Sequence, residues 1–195
     1  RAKESNVGDV HRTVSSEREE LILVDADDNE TGYGTKADCH DGKGVLHRAF
    51  SLFLFNKAGE LLLQQRSSQK RLWPGFWSNS CCSHPRRGET LLVATQRRLH
   101  DELNISAELE HVYRFCYQAE FGDAGSENES CHVFLGALDG DVRPNDSEIE
   151  SIRYVSARNL DEEFAKHPER FTPWFRKEWR TLREDYAGML ARYAM

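Results

Sequence analysis

Trp73-Pro74-Gly75-Phe76-Trp77-Ser78-Asn79-Ser80-Cys81-Cys82-Ser83-His84-Pro85 is the stretch on which the reading of this chain turns. Trp, Pro, Gly and Ser crowd it, so it reads as loop more than as helix or long strand. Within it Cys82 and His84 stand two apart, a thiol next to a metal-ligand type.

Outward from this stretch, the clearest helix follows at once, from Thr90 to Leu103. Leu92, Leu99 and Leu103, with Thr95 between, recur at helical spacing and are expected to form a buried stripe. Glu89 lies near its start, where a carboxylate complements the helix dipole. Upstream, His47 to Phe55 reads as a strand, and Asn56-Lys57-Ala58-Gly59 turns it into Glu60 to Arg66, which predicts a hairpin. Glu20 to Asp25 reads as a first strand, closed by Asp27-Asp28-Asn29 and Gly32 and followed by a polar loop holding Lys36, Cys39 and His40. Residues 1–19 are polar and are expected to be a mobile arm or a weak helix. Downstream, strands are predicted over Glu108 to Phe121 and Glu129 to Leu138, with a Gly/Ser/Asp loop carrying Glu127 between them. A strand near Ile149 to Val155 precedes helices over Asn159 to Lys166 and Pro173 to Tyr193. The expected class is α/β (α+β), a mixed β-sheet sandwiched by helices. Residues 20–195 are expected to form one domain, with added elements at both ends.

Composition bounds the function. Hydrophobic residues make up 38% of the 195, enough for one sizeable core. The longest apolar run, Ala49 to Phe55, is far below the ~20 residues of a membrane-spanning helix. No secretory leader is visible, and the missing initiator Met points to a lost upstream segment or a tag. The net charge of −7, with both signs mixed along the chain, speaks against a nucleic-acid partner. A small anionic substrate remains open, because a local Arg/Lys cluster can outweigh the global balance. Five cysteines, odd in number and without CxxC spacing, suggest free thiols in a reducing, cytoplasmic compartment.

Two sets of residues suggest chemistry. His40 and His47 stand seven apart, His84 lies beside Cys82, and Glu127 and Glu129 alternate onto one side of an extended segment. Each alone reads as an ordinary structural or solvated group. Together, three imidazoles and two carboxylates suit Mn²⁺, Mg²⁺ or Zn²⁺ better than a soft metal. The second set is Glu89, Arg97, Arg98, Asp101 and Glu102. Its plainer reading is two i,i+4 ion pairs, Arg97 with Asp101 and Arg98 with Glu102. Its sharper reading is a degenerate Nudix box in the register Ser83, Glu89, Arg97, Arg98, Leu99, Asp101, Glu102, Asn104, Ile105. Ser83 and Asn104 replace glycines there, while Arg98 and Asp101 replace glutamates. Arg98 in place of a metal-binding Glu weakens a hydrolase metal cluster and adds a cation suited to phosphate.

Taken with residues 73–85, the ordered set from His40 through Cys82-x-His84 to Glu127-x-Glu129-x-Cys131 resembles the type 1 isopentenyl-diphosphate isomerases, a Nudix-fold family, over about Leu21 to Trp179. The resemblance implies interconversion of isopentenyl and dimethylallyl diphosphate by a 1,3-proton shift, the substrate being a small-molecule diphosphate and no membrane or nucleic acid being involved. It implies Cys82 and Glu129 as the proton-transfer pair, Tyr117 as a hydroxyl beside the acid, and Trp174 as a π face for a carbocation. It implies His40, His47, His84, Glu127 and Glu129 as metal ligands, with Mn²⁺, Mg²⁺ or Zn²⁺ bound there. Glu102 is implied to hold a Mg²⁺ on the diphosphate, and Lys36, Arg66, Lys70 and Arg98 to bind its phosphates. Two other readings compete. A Nudix hydrolase is opposed by Arg98 and has no need of Cys82. A structural zinc module is opposed by ligands scattered over some 90 residues rather than set in knuckles.

Overall fold

The computed structural model describes residues 11–194. Strands β1 (Glu20–Val24) and β2 (Glu30–Thr35) pair antiparallel and lead into a single helical turn, α1 (Lys36–His40). The polar loop expected around Lys36 and His40 is therefore a strand and a helix. Two glycines and half-exposed polar residues hide β2 from any hydrophobic pattern. Helix α1 starts where the Thr35 hydroxyl accepts the Asp38 N–H.

The hub is β3 (His47–Phe55). It pairs in parallel with β8 (Ser126–Ala137), from His47↔Glu129 to Phe55↔Ala137. On its other side it pairs antiparallel with the short β6 (Cys81–Ser83), placing Ser51 opposite Cys82. Strand β7 (Leu109–Glu120) lies beyond β8 and puts Tyr117 opposite Glu129. The expected hairpin from β3 to β4 (Leu61–Arg66) is only a corner, with the single register pair Phe55↔Leu61. Strand β4 then leaves to pair with β9 (Ile149–Val155) and β5 (Trp77–Ser78). The physical reason is burial. From Ala49 to Phe55 every β3 residue is buried, as in a strand with neighbours on both edges and helices on both faces.

Alternation along β3 divides the core in two. Ala49, Phe53 and Phe55 join Val133, Leu135, Trp174, Phe175 and Trp179 on one face. Phe50, Leu52 and Leu54 join Ala94, Leu99 and Leu103 on the other. The second face is covered by α2 (Leu91–Leu103), whose N-cap Thr90 accepts the Val93 N–H. The first is covered by α4 (Pro173–Glu184), preceded by α3 (Ala157–Lys166) and followed by α5 (Ala187–Leu190).

Three further expectations are corrected. Leu92 is 69% exposed, so the inward stripe of α2 runs through Ala94, Thr95, Arg98, Leu99, Glu102 and Leu103. Two mutually neutralising charges occupy positions that a count of apolar residues leaves to solvent. The C-terminal helix breaks at Asp185 into α4 and α5. Glu127 belongs to β8 and not to the preceding loop. Residues 11–19 contain no helix and run along the protein surface, with Val14 O accepting from Arg98 and Ser15 Oγ accepting from Lys36. The rest of the expected arm lies outside the described residues. Among the described residues no helix is long and apolar enough to cross a membrane.

Candidate active site

His47 opens β3, Glu127 and Glu129 lie on the adjacent β8, His84 follows β6, and His40 ends α1. Their ligand atoms all fall within 4.8 Å of one another, so the five residues expected from sequence converge. Gly125, at φ 135°, allows the approach of α1 to the start of β8, because a Cβ there would overlap the His40 carbonyl oxygen. The donor set fits a divalent ion. The Nδ1 atoms of His40 and His47 lie 2.6 and 2.7 Å from the carbonyl oxygens of Lys36 and Val45, which turns both Nε2 lone pairs inward. His47 Nε2 is buried without a hydrogen-bond partner, an orphan that a metal bond would satisfy.

Electrostatics in the cluster follow from burial and proximity. Burial opposes the charge on Glu127, but His40 at 3.0 Å outweighs it and brings the carboxyl down to about 2. Burial also works against a charged His40, and Glu127 raises it in return. His47 falls to about 4 through burial and then His40, and burial followed by the His47 charge holds His84 well below the usual imidazole range. Burial, followed by the Glu127 charge, pushes Glu129 well above the carboxylate range. Tyr117 donates to Glu129 Oε2 at 2.6 Å, and His84 Nε2 lies 2.9 Å from Oε1.

Cys82 faces the same cleft as Glu129 and Tyr117. Its thiol donates to Asn79 Oδ1 at 2.7 Å, and its sulfur accepts from Trp174 Nε1 at 3.3 Å and from Ser51 Oγ at 3.7 Å. Burial, then the Glu178 carboxyl, pushes the thiol up to about 12. The indole of Trp174 thus turns an N–H to the sulfur, while the Arg66 guanidinium lies 5.3 Å from the ring centre. Cys81, its neighbour, points into the α2 core.

The cleft, open to solvent on one side, is lined by Lys36, Arg66, Lys70, Arg71 and Arg98. The four cations expected from sequence are all among them. Each already has partners in the protein. Arg66 donates to the Leu72 and Trp73 carbonyls, Lys36 to Ser15, and Lys70 pairs with Glu148. Arg98 donates to Glu102 Oε1 at 2.8 Å and lies 3.3 Å from Glu148. Glu102 is therefore in an ion pair beside the cleft and not in the histidine cluster. Arg97 pairs with Glu89 at 2.7 Å instead of Asp101, because Glu89 lies before the helix and folds back along it. Asn104, in the glycine position of the degenerate box, takes the left-handed conformation at φ 55° that closes α2, a state Asn tolerates.

Sequence reasoning passed over Asn79, Ser51, Glu148 and Glu178, and considered Arg71 only as the neighbour to which the Lys70 assignment could slip. Asn79 lies inside the quoted stretch and was visible there. The others are single polar residues in ordinary contexts, and only the pairing of strands and the packing of α4 bring them to the site.

The NUDIX domain family matches residues 45–175. The chain is 46% identical over 157 residues to the isopentenyl-diphosphate Delta-isomerase of Serratia proteamaculans, covering 80% of this chain and 87% of that protein. It is 39% identical over 174 residues to isopentenyl-diphosphate Delta-isomerase 1 of Photorhabdus laumondii, covering 88% and 99%. Over 176 residues it is 39% identical to the Haloarcula marismortui isopentenyl-diphosphate Delta-isomerase, covering 85% and 92%. Among solved structures, DR0079 of Deinococcus radiodurans superposes with a TM-score of 0.64 at 22% identity, over 90% of this chain and 99% of that one. A MutT protein of Methanosarcina mazei gives 0.61 at 18%, over 72% and 95%. At those identities the two structures speak for the fold alone.

Proposed function

The chain belongs to the isopentenyl-diphosphate Delta-isomerase family, on a NUDIX fold, and from that membership we propose that it interconverts isopentenyl and dimethylallyl diphosphate by a metal-dependent 1,3-proton shift. The observation that carries the reading is a single cleft lined by two groups with raised proton affinity, Cys82 and Glu129, together with five cations. Protonating an unactivated alkene needs an acid, and the resulting tertiary cation needs a base for a different proton. Cys82 and Glu129 serve as that pair and exchange protonation states in each turnover, with roles reversed in the reverse direction. Tyr117 holds Glu129 Oε2, and the Trp174 ring lines the cleft where a carbocation would form. Lys36, Arg66, Lys70 and Arg98 bind the diphosphate, whose phosphates would exchange with the present partners Ser15, Glu148 and Glu102.

His40, His47, His84, Glu127 and Glu129 hold Mn²⁺, Mg²⁺ or Zn²⁺, and Glu102 serves a Mg²⁺ carried on the diphosphate. When bound, the cluster ion supplies positive charge that favours ionised Glu129 and neutral imidazoles. The five thiols are all free, in keeping with a reducing cytoplasmic address, and residues 20–195 act as one domain. The test is proton exchange of isopentenyl diphosphate in heavy water with Mg²⁺, alongside Cys82→Ala. Deuterium should enter the five-carbon unit without phosphate release, chelation should stop it, and Cys82→Ala should lose turnover while keeping fold and metal. Cleavage of the diphosphate with no double-bond shift would sink the proposal.

A further inference from the structure

Glu178 sits on α4, one turn beyond Trp174, and is fully buried. Its Oε1 accepts from Cys131 Sγ at 3.5 Å, and its Oε2 has no hydrogen-bond partner. Among the described residues no lysine, arginine or histidine pairs with it, so an ionised Glu178 would be a bare charge in the core. The titratable groups facing it are Cys131 on β8, Tyr113 on β7, Cys82 on β6 and Glu129 on β8, all acids. Cys131 Sγ lies 3.5 Å from both Glu178 Oε1 and the Ser51 hydroxyl on β3, which sets Ser51 beside the carboxyl, and Ser51 Oγ lies 3.7 Å from Cys82 Sγ.

A protonated Oε2 resolves the orphan, because it gains a donor and Ser51 Oγ is an acceptor beside it. We propose that Glu178 is a positioning residue: as a neutral carboxylic acid it donates to Ser51, which then donates to Cys82 Sγ and fixes the sulfur for proton transfer. Packing alone gives no account of Glu178, since an apolar side chain of its size avoids the desolvation cost. Burial also pushes its carboxyl up to about 7, in line with the neutral form. The inference rests on the reading of Cys82 as a proton-transfer group.

The test uses metal-loaded protein and the variants Glu178→Gln, Glu178→Met, Ser51→Ala and the Met/Ala double. Glu178→Met and Ser51→Ala should each lower kcat at least about tenfold, with KM changed less than about twofold. The double variant should be no worse than either single one, as for two links of one chain. Glu178→Gln keeps an amide donor and should restore kcat to within about threefold of the native value. In infrared difference spectra, native protein should show the carbonyl band of a protonated carboxylic acid that Glu178→Gln removes. Native kcat in Glu178→Met, additive losses in the double variant, or no lost band would each overturn the assignment. If Glu178→Met does not fold, Ser51→Ala and the infrared difference still decide. Full turnover in Cys82→Ala would instead overturn the role of Cys82, leaving the Glu178 band in place.

Discussion

At the scale of single residues, two buried glutamates near the cleft carry opposite consequences for stability against pH. Glu148 lies between Lys70 and Arg98; burial opposes its charge, but the two cations hold it down to about 2. Its contribution is therefore present above the ordinary carboxylate range and lost only as pH falls through about 2. Glu178 has no such partners, and burial raises it from 4.5 to about 7. Between those values the folded state binds a proton that the unfolded state has released. Stability thus falls as pH rises through that window, and the penalty is complete above it. A rise of this size corresponds to about 3 kcal/mol. Glu178→Gln removes the titration, so the drop in Tm from about pH 5 to about pH 8 should shrink relative to native protein. A drop of native size in that variant, measured by thermal unfolding at both values, would assign the pH dependence to another group.

At the scale of elements, the helix that carries the degenerate box tests the difference between periodicity and packing. Both Leu92 and Leu99 fit a helical apolar repeat, yet Leu92 is 69% exposed and Leu99 is fully buried against Phe50 and Leu54. Leu99→Ala should cost about 2–5 kcal/mol by denaturant titration, and Leu92→Ala within about 0.5. Equal costs would mean that the face of α2 is wrongly placed. The long, apolar strand β3 was legible because burial on both faces leaves a strong signal, and the strand Ile149–Val155 because β-branched and aromatic residues mark it. The pairing of those strands was not legible, since β3 pairs along its length with β8, more than seventy residues away, and meets the adjacent β4 at a single residue pair. The His/Glu cluster was readable as an ordered list of residues. Its inward-facing geometry depends on α1 and the start of β8, both composed of polar residues without a periodic mark. Arg98 and Glu102 fit the box register in sequence, but only the fold makes them a buried pair on the inner face of α2.

For the whole molecule, the decisive relation is between the segment before β1 and the cleft it borders. Glu17 lies 3.8 Å from Lys36 Nζ and 4.0 Å from Arg71, Ser15 accepts from Lys36, and Val14 O accepts from Arg98. Three cations of a cleft suited to a diphosphate are thus already in contact with one short stretch of chain. Glu17 is about half exposed, so its pairing sits in the range of surface ion pairs, about 0.2–1 kcal/mol. A diphosphate ester competing for Lys36 has to displace that carboxylate. Removing its charge while keeping its shape should relieve the competition without touching Cys82 or Glu129. Glu17→Gln should therefore lower KM for isopentenyl diphosphate by about two- to fivefold at low ionic strength, with kcat unchanged. The difference should narrow in about 0.5 M salt, where screening already weakens the pair. A higher KM in the variant would give Glu17 the opposite role, that of holding the segment in a position the substrate needs.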